Sequence, residues 1–356
     1  LFRSLLLPTL AMAVTLVIRS LRTILGIPAG EHIPPEVSAP ASLACIVPIG
    51  ALVGLAFPLA AAAYRESLRS DESPETAAGS AASTTYALES LGSLTAGVLL
   101  SFYLVSRFDP FRILTLSAFA TGLVAFLLSF EQRWRWWILL WPLLFFCVFM
   151  TGMDLRVETW SNKKRFHSFA QGDWVRSLET PYQHLDLGKL GEQYNLYGNG
   201  SLLFSFPDTY TEQLTAHFWL SLHRDPKRIL LLGGHGGRYV PAILAHAPKR
   251  IDYVELDSGV IEMTAQASGN DFRNALERPT VHIHVTDGRR FVRETNEQYD
   301  VVISAMPDPS TALLNRFYTE EFYEEVRRVL APNGIFITQV EAPGTFMRGE
   351  VGTYAA

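Results

Sequence analysis

Three short segments in the second half of this chain place chemistry-bearing residues directly after apolar runs. Gly233-Gly234-His235-Gly236-Gly237 follows RILLL at 228–232, Glu255 closes IDYVE at 251–255, and Thr286-Asp287-Gly288 follows VHIHV at 281–285. A run of glycines lets a ligand approach the backbone closely, and a helix start behind it favours negative or polar groups. A carboxylate in the place of Glu255 can accept hydrogen bonds from both hydroxyls of a ribose. One in the place of Asp287 can accept from an adenine amino group. Each feature alone is weak, because glycine turns also serve tight strand–helix packing and loop acids are common. Together, in this order and each at the end of an apolar run, they fit a nucleoside.

Such residues need elements that deliver them to one edge. The apolar runs at 228–232, 251–255, 281–285, 301–304 and 335–340 read as strands. Segments 239–246, 258–267 and 320–330 between them read as helices. Strands alternating with helices predict a parallel sheet covered on both faces, with ligands at the carboxyl ends of the strands. Upstream, 193–197 and 201–206 flank Gly198-Asn199-Gly200, a hairpin turn signal, so a small antiparallel β unit is expected over about 182–206. A helix is expected around 211–222. The stretch 154–180 has mixed charge and no clear period, and reads as a connector.

The first 153 residues differ in kind. Runs at 41–64, 86–105, 111–130 and 136–153 each approach the roughly 20 apolar residues that span a bilayer. A shorter run at 5–18 is interrupted by Arg19. Five spans are expected, the first uncertain; a signal peptide is disfavoured because four further runs follow and no small-residue cleavage site is evident. The polar stretch 65–84 reads as a loop, 133–137 (RWRWW) as an interfacial anchor, and Gly92 and Ala96 as a close-packing face. Lys163, Lys164 and Arg165 favour a cytoplasmic second half, while Arg65 and Arg69 count against it. The net charge of −5 gives no general affinity for nucleic acid. Cys45 and Cys147, far apart in apolar runs, suggest neither a disulfide framework nor a metal site. A chain starting at Leu1 and stopping at Ala356 reads as a fragment, with the sheet's further strands expected beyond it.

The segment LLLGGHGGRYVPAILAHAPKRIDYVELD resembles the cofactor region of spermidine synthases, the polyamine aminopropyltransferases. The resemblance continues through TDGRRFV and YDVVISAMPDPSTALLNRFYTEEFYEEVRRVLAPNGIF, and back to TPYQHLDL, YNLYGNGSLLFS and DTYTEQL. The first half, through FPLA and YALESLGSLTAGVLL, resembles more weakly the subfamily in which such a domain is fused to membrane helices. The implied fold is a multi-span α-helical membrane region (1–153), a connector (154–180), a small β unit and helix (181–222) and an α/β Rossmann-like domain of the S-adenosylmethionine-dependent methyltransferase type (223–356). By this resemblance the co-substrate is S-adenosylmethionine or its decarboxylated form, with no metal, and the acceptor is a polyamine such as putrescine. Gly233, Gly234, Gly236 and Gly288 would surround the nucleoside, Glu255 would hold its ribose and Asp287 its adenine. Gln183 and Tyr210 match pocket positions, and Asp308-Pro309 lies on a loop that closes over the site. Asp308 and Tyr210 are the catalytic candidates. A lipid bilayer is the other expected partner, in an inner or cell membrane with the second half cytoplasmic; oligomerisation is left open.

The chain also departs from that pattern. Ala305 stands where the first of two aspartates three apart is expected, with Asp308 at the second. His235 and Gly236 replace an acidic residue within the glycines, and Thr211 replaces a histidine. These changes bear more on amine chemistry than on nucleoside binding. They keep open a transferase of altered chemistry, or a nucleoside-sensing domain without catalysis. His235 itself reads either as a solvent-facing turn residue or as a contact for a cofactor carboxylate.

Overall fold

The apolar runs of the first half form helices in the computed structural model, which describes residues 2–29, 31, 33–67, 74–105, 107–129, 135–309 and 311–339. Helices α1 (Phe2–Ile24), α2 (Pro35–Ser67), α3 (Pro74–Leu99, continued by a π-helical turn), α4 (Pro110–Leu128), α5 (Arg135–Thr151) and α6 (Met153–Phe169) build a unit that ends at Ser177. Four helices are long and apolar enough to cross a membrane, or up to five if α5 and α6, bent by 67° about Gly152, count as one span. Leu43, Ile46, Leu91, Leu94, Phe102 and Leu128 are exposed.

Several details differ from the sequence expectation. Arg19 does not end the first helix, because its guanidinium is neutralised: Nη2 pairs with Glu158 at 2.6 Å and Nη1 donates to Ser161 at 2.8 Å. Most of the supposed 65–84 loop is helix, with α2 reaching Ser67 and α3 starting at Pro74; the alanine-rich TAAGSAAS has strong intrinsic helix propensity. Positions 68–73 of that stretch, Arg133 and Trp134 of the anchor, and the strand end at Val340 lie outside the described residues. Gly92 packs against nothing within 4 Å. The close small-residue contact is instead at Gly122 of α4, where a Cβ would meet Trp141 of α5 at 2.6 Å.

The 154–180 stretch is not irregular. It contains α6 and strand β1 (Asp173–Glu179). The buried side of α6 carries Asp154, Glu158, Ser161 and Asn162. Glu158 also accepts from the backbone N–H of Phe111 (3.1 Å) and from Asn162 (3.0 Å), and Asp154 lies 3.6 Å from Arg112. These contacts bring the C-terminal end of α1, the N-terminal end of α4 and the start of α6 to one end of the bundle.

In the second unit, Leu178–Ala356, a β region precedes an α/β region. Strands β2 (His184–Leu190), β3 (Gln193–Gly198) and β4 (Ser201–Phe206) follow β1 in a sheet of order β1-β2-β3-β4. Asn199 and Gly200, both at positive φ, make the two-residue loop between β3 and β4 that suits strand twist. After α7 (Thr209–Ser221) come β5 (Arg228–Gly233), α8 (Val240–Leu244), β6 (Arg250–Glu255), α9 (Ser258–Leu276), β7 (Val281–Val285) and α10 (Gly288–Glu294). They are followed by β8 (Tyr299–Ala305), α11 (Ala312–Asn315), α12 (Glu320–Val329) and β9 (Leu330–Thr338).

The second sheet has order β7-β6-β5-β8-β9, and every paired neighbour is parallel. Strand β5 is apolar throughout because both its faces are covered. Ile229 and Leu231 join a cluster with Trp219, Tyr239 and Ile243, whereas Leu230 and Leu232 join one with Phe322 and Val326. Helix α12 supplies Phe322, Val326 and Val329 at helical spacing, starts on a Thr319 cap that accepts from the Phe322 N–H, and ends in Arg327 and Arg328.

Candidate active site

Because the five strands are parallel, their carboxyl ends share one edge, and the order reverses direction between β5 and β8. That is where an open α/β sheet leaves a crevice. Gly233 at the end of β5 pairs in register with Ala305 at the end of β8, and Glu255 at the end of β6 pairs with Val285 of β7. The edge therefore collects the glycine turn, Glu255, Thr286-Asp287-Gly288 and the segment beginning Ala305-Met306-Pro307-Asp308.

The glycine turn differs from the expected helix start. Residues His235–Gly237 form a single 3₁₀ turn, and α8 is only five residues long, so the helix dipole adds little. At Gly233 (φ +71°) a Cβ would sit 3.2 Å from the Ala305 carbonyl oxygen. Gly236 (φ +72°) has a structural reason for lacking a side chain, since a Cβ would meet Thr264 Oγ1 of α9 at 2.3 Å. Gly236→Ala is accordingly expected to destabilise the fold by about 1–3 kcal/mol through strain and overpacking, read as a lowered midpoint in thermal or denaturant unfolding. An unchanged midpoint would return Gly236 to a purely ligand-facing role.

His235 is half-buried. Its ring packs 5.0 Å from Phe204 and 6.5 Å from Tyr239, and burial, aided by Arg238, pushes its pKa down to about 4, so the imidazole is neutral near pH 7 in the ligand-free chain.

Glu255 is partly buried and held by its own strand end. Oε2 accepts from the Tyr253 hydroxyl (3.1 Å), and Oε1 accepts from the Leu256 N–H (2.9 Å) and, at longer range, the Asp257 N–H (3.5 Å). Burial raises its carboxyl pKa, and these hydrogen bonds oppose the rise. An ionised carboxylate has about four acceptor sites, and the two close bonds leave room for two hydroxyl donors.

Asp257 caps α9 through the Gly259 N–H (3.0 Å) and accepts from the Gln183 amide (3.0 Å) and the Thr180 hydroxyl (2.9 Å). Gln183 is thereby fixed beside the Glu255 strand end, across 74 residues of sequence. Asp287 caps α10 by accepting from the Arg290 N–H (2.9 Å), and its other oxygen pairs with Arg316. A cavity of about 890 Å³ opens at this end, lined by Tyr182, Leu256, Asp287, Leu313 and Arg316 among others. That volume lies within the range of small-molecule pockets. Tyr182, Leu256, Leu313 and Arg316 were not singled out from the sequence. Tyr182 and Leu256 sit next to Gln183 and Glu255 and were within reach of that reasoning; Arg316 had no local signal.

Gly234 lies within the glycine turn, and Gly288 opens α10, where a Cβ would meet Met306 at 3.2 Å. Asp308 is partly buried in the segment after β8. Tyr210 is exposed on the first turn of α7. Thr211 donates its N–H to the Asp208 cap (3.2 Å). Ala305 is 6% exposed, with its methyl group in the cluster that contains Ile303 and Tyr239. Among the described residues, no group of three or more His, Cys, Asp or Glu side chains is placed to hold a metal.

Known proteins match this second unit. The polyamine aminopropyltransferase of Saccharolobus solfataricus is 29% identical over 206 residues, 55% of this chain and 66% of that protein. That of Sulfurisphaera tokodaii is 30% identical over 189 residues, 52% of this chain and 62% of that protein. The matched stretch thus spans just under two thirds of these relatives. A crystal structure of spermidine synthase in complex with the transition state analogue AdoDATO aligns with a TM-score of 0.45 at 23% identity, covering 51% of this chain and 61% of that one. Residues 208–347 match the model of the spermine/spermidine synthase domain.

Proposed function

We propose that the second unit binds S-adenosylmethionine or its decarboxylated form and, from the decarboxylated form, transfers an aminopropyl group to a polyamine. The observation that carries this reading is the assembly of Gly233, Glu255 and Asp287 on one sheet edge, beside a cavity of about 890 Å³, within a stretch that matches the synthase domain. In this reading Glu255 receives the ribose hydroxyls, and Asp287 receives the adenine amino group. Leu256 and Tyr182 supply apolar walls for the base. In the reaction the acceptor nitrogen attacks the propyl carbon next to the sulfonium. The C–N bond forms as the C–S bond breaks, the sulfur keeps the electron pair, and the nitrogen's proton passes to a base. Asp308 and Tyr210 are the candidates for receiving that proton or anchoring the acceptor's cationic end. Calorimetry of the full chain with S-adenosylmethionine, decarboxylated S-adenosylmethionine and 5′-methylthioadenosine tests the reading. Binding of the decarboxylated form ahead of S-adenosylmethionine supports it, and no binding of any of the three removes it.

The helical unit is the proposed membrane anchor of this enzyme, as in a membrane-fused subfamily. Arg19, Arg22, Arg107, Arg112, Arg156, Lys163, Lys164 and Arg165 all belong to the bundle end from which the chain enters its second unit. Among the described residues, Arg3 at the start of α1, Arg65 in the last turn of α2 and Arg135 at the start of α5 lie at the other end. The excess of basic residues supports a cytoplasmic second unit. With Cys45 and Cys147 replaced by serine, Ser201→Cys is expected to resist an impermeant maleimide in intact cells and to react after permeabilisation. Labelling in intact cells would reverse the orientation, and release of the protein from membranes by alkaline carbonate would remove the anchor.

A further inference from the structure

Asp287, the residue given to the adenine in the reading above, already has a cationic partner. One oxygen receives the Arg290 N–H of α10, and the other is paired with the Arg316 guanidinium. Arg316 comes from the segment that follows β8, the segment that also carries Asp308. It is fixed there at several points. Its Nε donates to the Leu313 carbonyl (2.9 Å), its guanidinium lies 4.9 Å from the centroid of the Phe317 ring, and its own carbonyl accepts from Arg289 (3.0 Å). Arg289 is in turn tied to Glu325 of α12 by two bonds of 2.8 and 2.9 Å. Arg316 also lines the 890 Å³ cavity together with Tyr182, Leu256 and Leu313. The guanidinium thus lines the cavity and holds the oxygen that the amino group would use.

We propose that Arg316 is a gate on the adenine subsite: it occupies Asp287 in the ligand-free domain, and an adenine nucleoside binds by displacing it. The inference rests on the nucleoside reading of the site. It gives that site a link between its two halves, because releasing Arg316 frees the segment bearing Asp308 to reposition when the nucleoside is present. By linkage, whatever free energy holds Arg316 on Asp287 is subtracted from nucleoside affinity. The pair is partly exposed, with side-chain exposures of 31% and 23%, so the subtraction is modest.

The test uses the full chain in detergent or nanodiscs and two probes, 5′-methylthioadenosine and 5′-methylthioinosine, which differ only at the base edge facing Asp287. Arg316→Ala and Arg316→Gln are both expected to tighten binding of the adenine probe by about three- to tenfold. The hypoxanthine probe presents a carbonyl oxygen to the carboxylate and is expected to gain nothing. Unfolding midpoints report whether either variant is damaged, and the glutamine variant serves if the alanine one is. A loss of adenine-probe affinity in folded variants overturns the gate and makes Arg316 a direct ligand contact. Equal gains with both probes also overturn it, since relief at Asp287 must depend on the amino group. If neither the native chain nor the variants bind either probe, the nucleoside reading itself fails, and the gate with it.

Discussion

Glu255→Ala is expected to lower nucleoside affinity at least tenfold, whereas Asp308→Ala is expected to leave it within a few-fold of the native value. Two charge-assisted hydrogen bonds from a carboxylate to ribose hydroxyls contribute roughly 1.5–3 kcal/mol each, and about 1.4 kcal/mol is a factor of ten. The structure adds a second, opposite effect. Burial raises the Glu255 carboxyl pKa despite the Tyr253 hydroxyl and the backbone N–H groups that oppose the rise. A carboxyl with a raised folded-state pKa binds protons in the folded protein at a pH where the unfolded chain has released them. Stability from this group therefore falls as pH rises through the window between the ordinary and the raised value, and the cost is fully present above it. Glu255→Gln removes that cost. It is expected to raise the unfolding midpoint of the ligand-free protein at neutral pH while weakening the nucleoside. Nucleoside affinity of the native chain is expected to decline as pH is lowered through the raised pKa, as the acceptor becomes protonated. Calorimetry across pH, with unfolding scans on the same samples, checks all of this. Equal affinity losses from the Glu255 and Asp308 variants, or none from either, would remove the assignment of Glu255 to the ribose.

What the sequence revealed follows from where side chains are buried. Strands β5, β6 and β8 were visible as apolar runs because inner parallel strands are covered on both faces, and the strand ends then located Gly233, Glu255 and Ala305; β7, at the sheet edge, was visible from its alternating VHIHV and located Asp287. The β3–β4 hairpin was visible because its two-residue turn needs positive φ, which Asn199 and Gly200 supply. Helix α6 was hidden because Asp154, Glu158, Ser161 and Asn162 lie on its buried side, where a reading by apolar period expects Leu or Val. Their burial is offset by groups far away in sequence, namely Arg19, Arg112 and the Phe111 N–H. The same limit applies at the site. Gln183 with Asp257 and Asp287 with Arg316 are pairings that only the folded chain creates. Gly236 looked like a ligand-facing glycine, yet Thr264 of α9 already excludes a side chain there. The packing of the His235 ring beside Phe204 and Tyr239, which makes it a neutral imidazole, is likewise created only by the fold.

Aminopropyl transfer to putrescine is expected to be slow in the native chain, and Ala305→Asp is expected to raise it by about 10²–10⁴-fold, the usual contribution of a general base. An acceptor amine with a pKa near that of lysine, about 10.4, is almost wholly protonated at neutral pH, and attack needs its lone pair free. At the end of β8 the native chain offers a methyl group, in register with Gly233 across the crevice. Asp308 lies three residues further along, and Tyr210 is an exposed phenol on α7; neither comes from the strand end itself. An aspartate at 305 would restore a carboxylate there, and its surroundings would tune it. Position 305 belongs to the buried cluster that contains Ile303 and Tyr239, so burial would raise the new carboxyl's pKa toward the working pH, where a base is most effective. The same burial would lower stability, so the unfolding midpoint of Ala305→Asp is expected to fall even as its rate rises. The assay is single-turnover transfer with decarboxylated S-adenosylmethionine at saturating donor, scored by methylthioadenosine release, with donor affinity measured in parallel. Fast native turnover would mean that another group takes the proton and that the methyl at 305 is no impediment. No gain from Ala305→Asp, in a folded variant that still binds the donor, would mean that putrescine is not the acceptor this pocket holds.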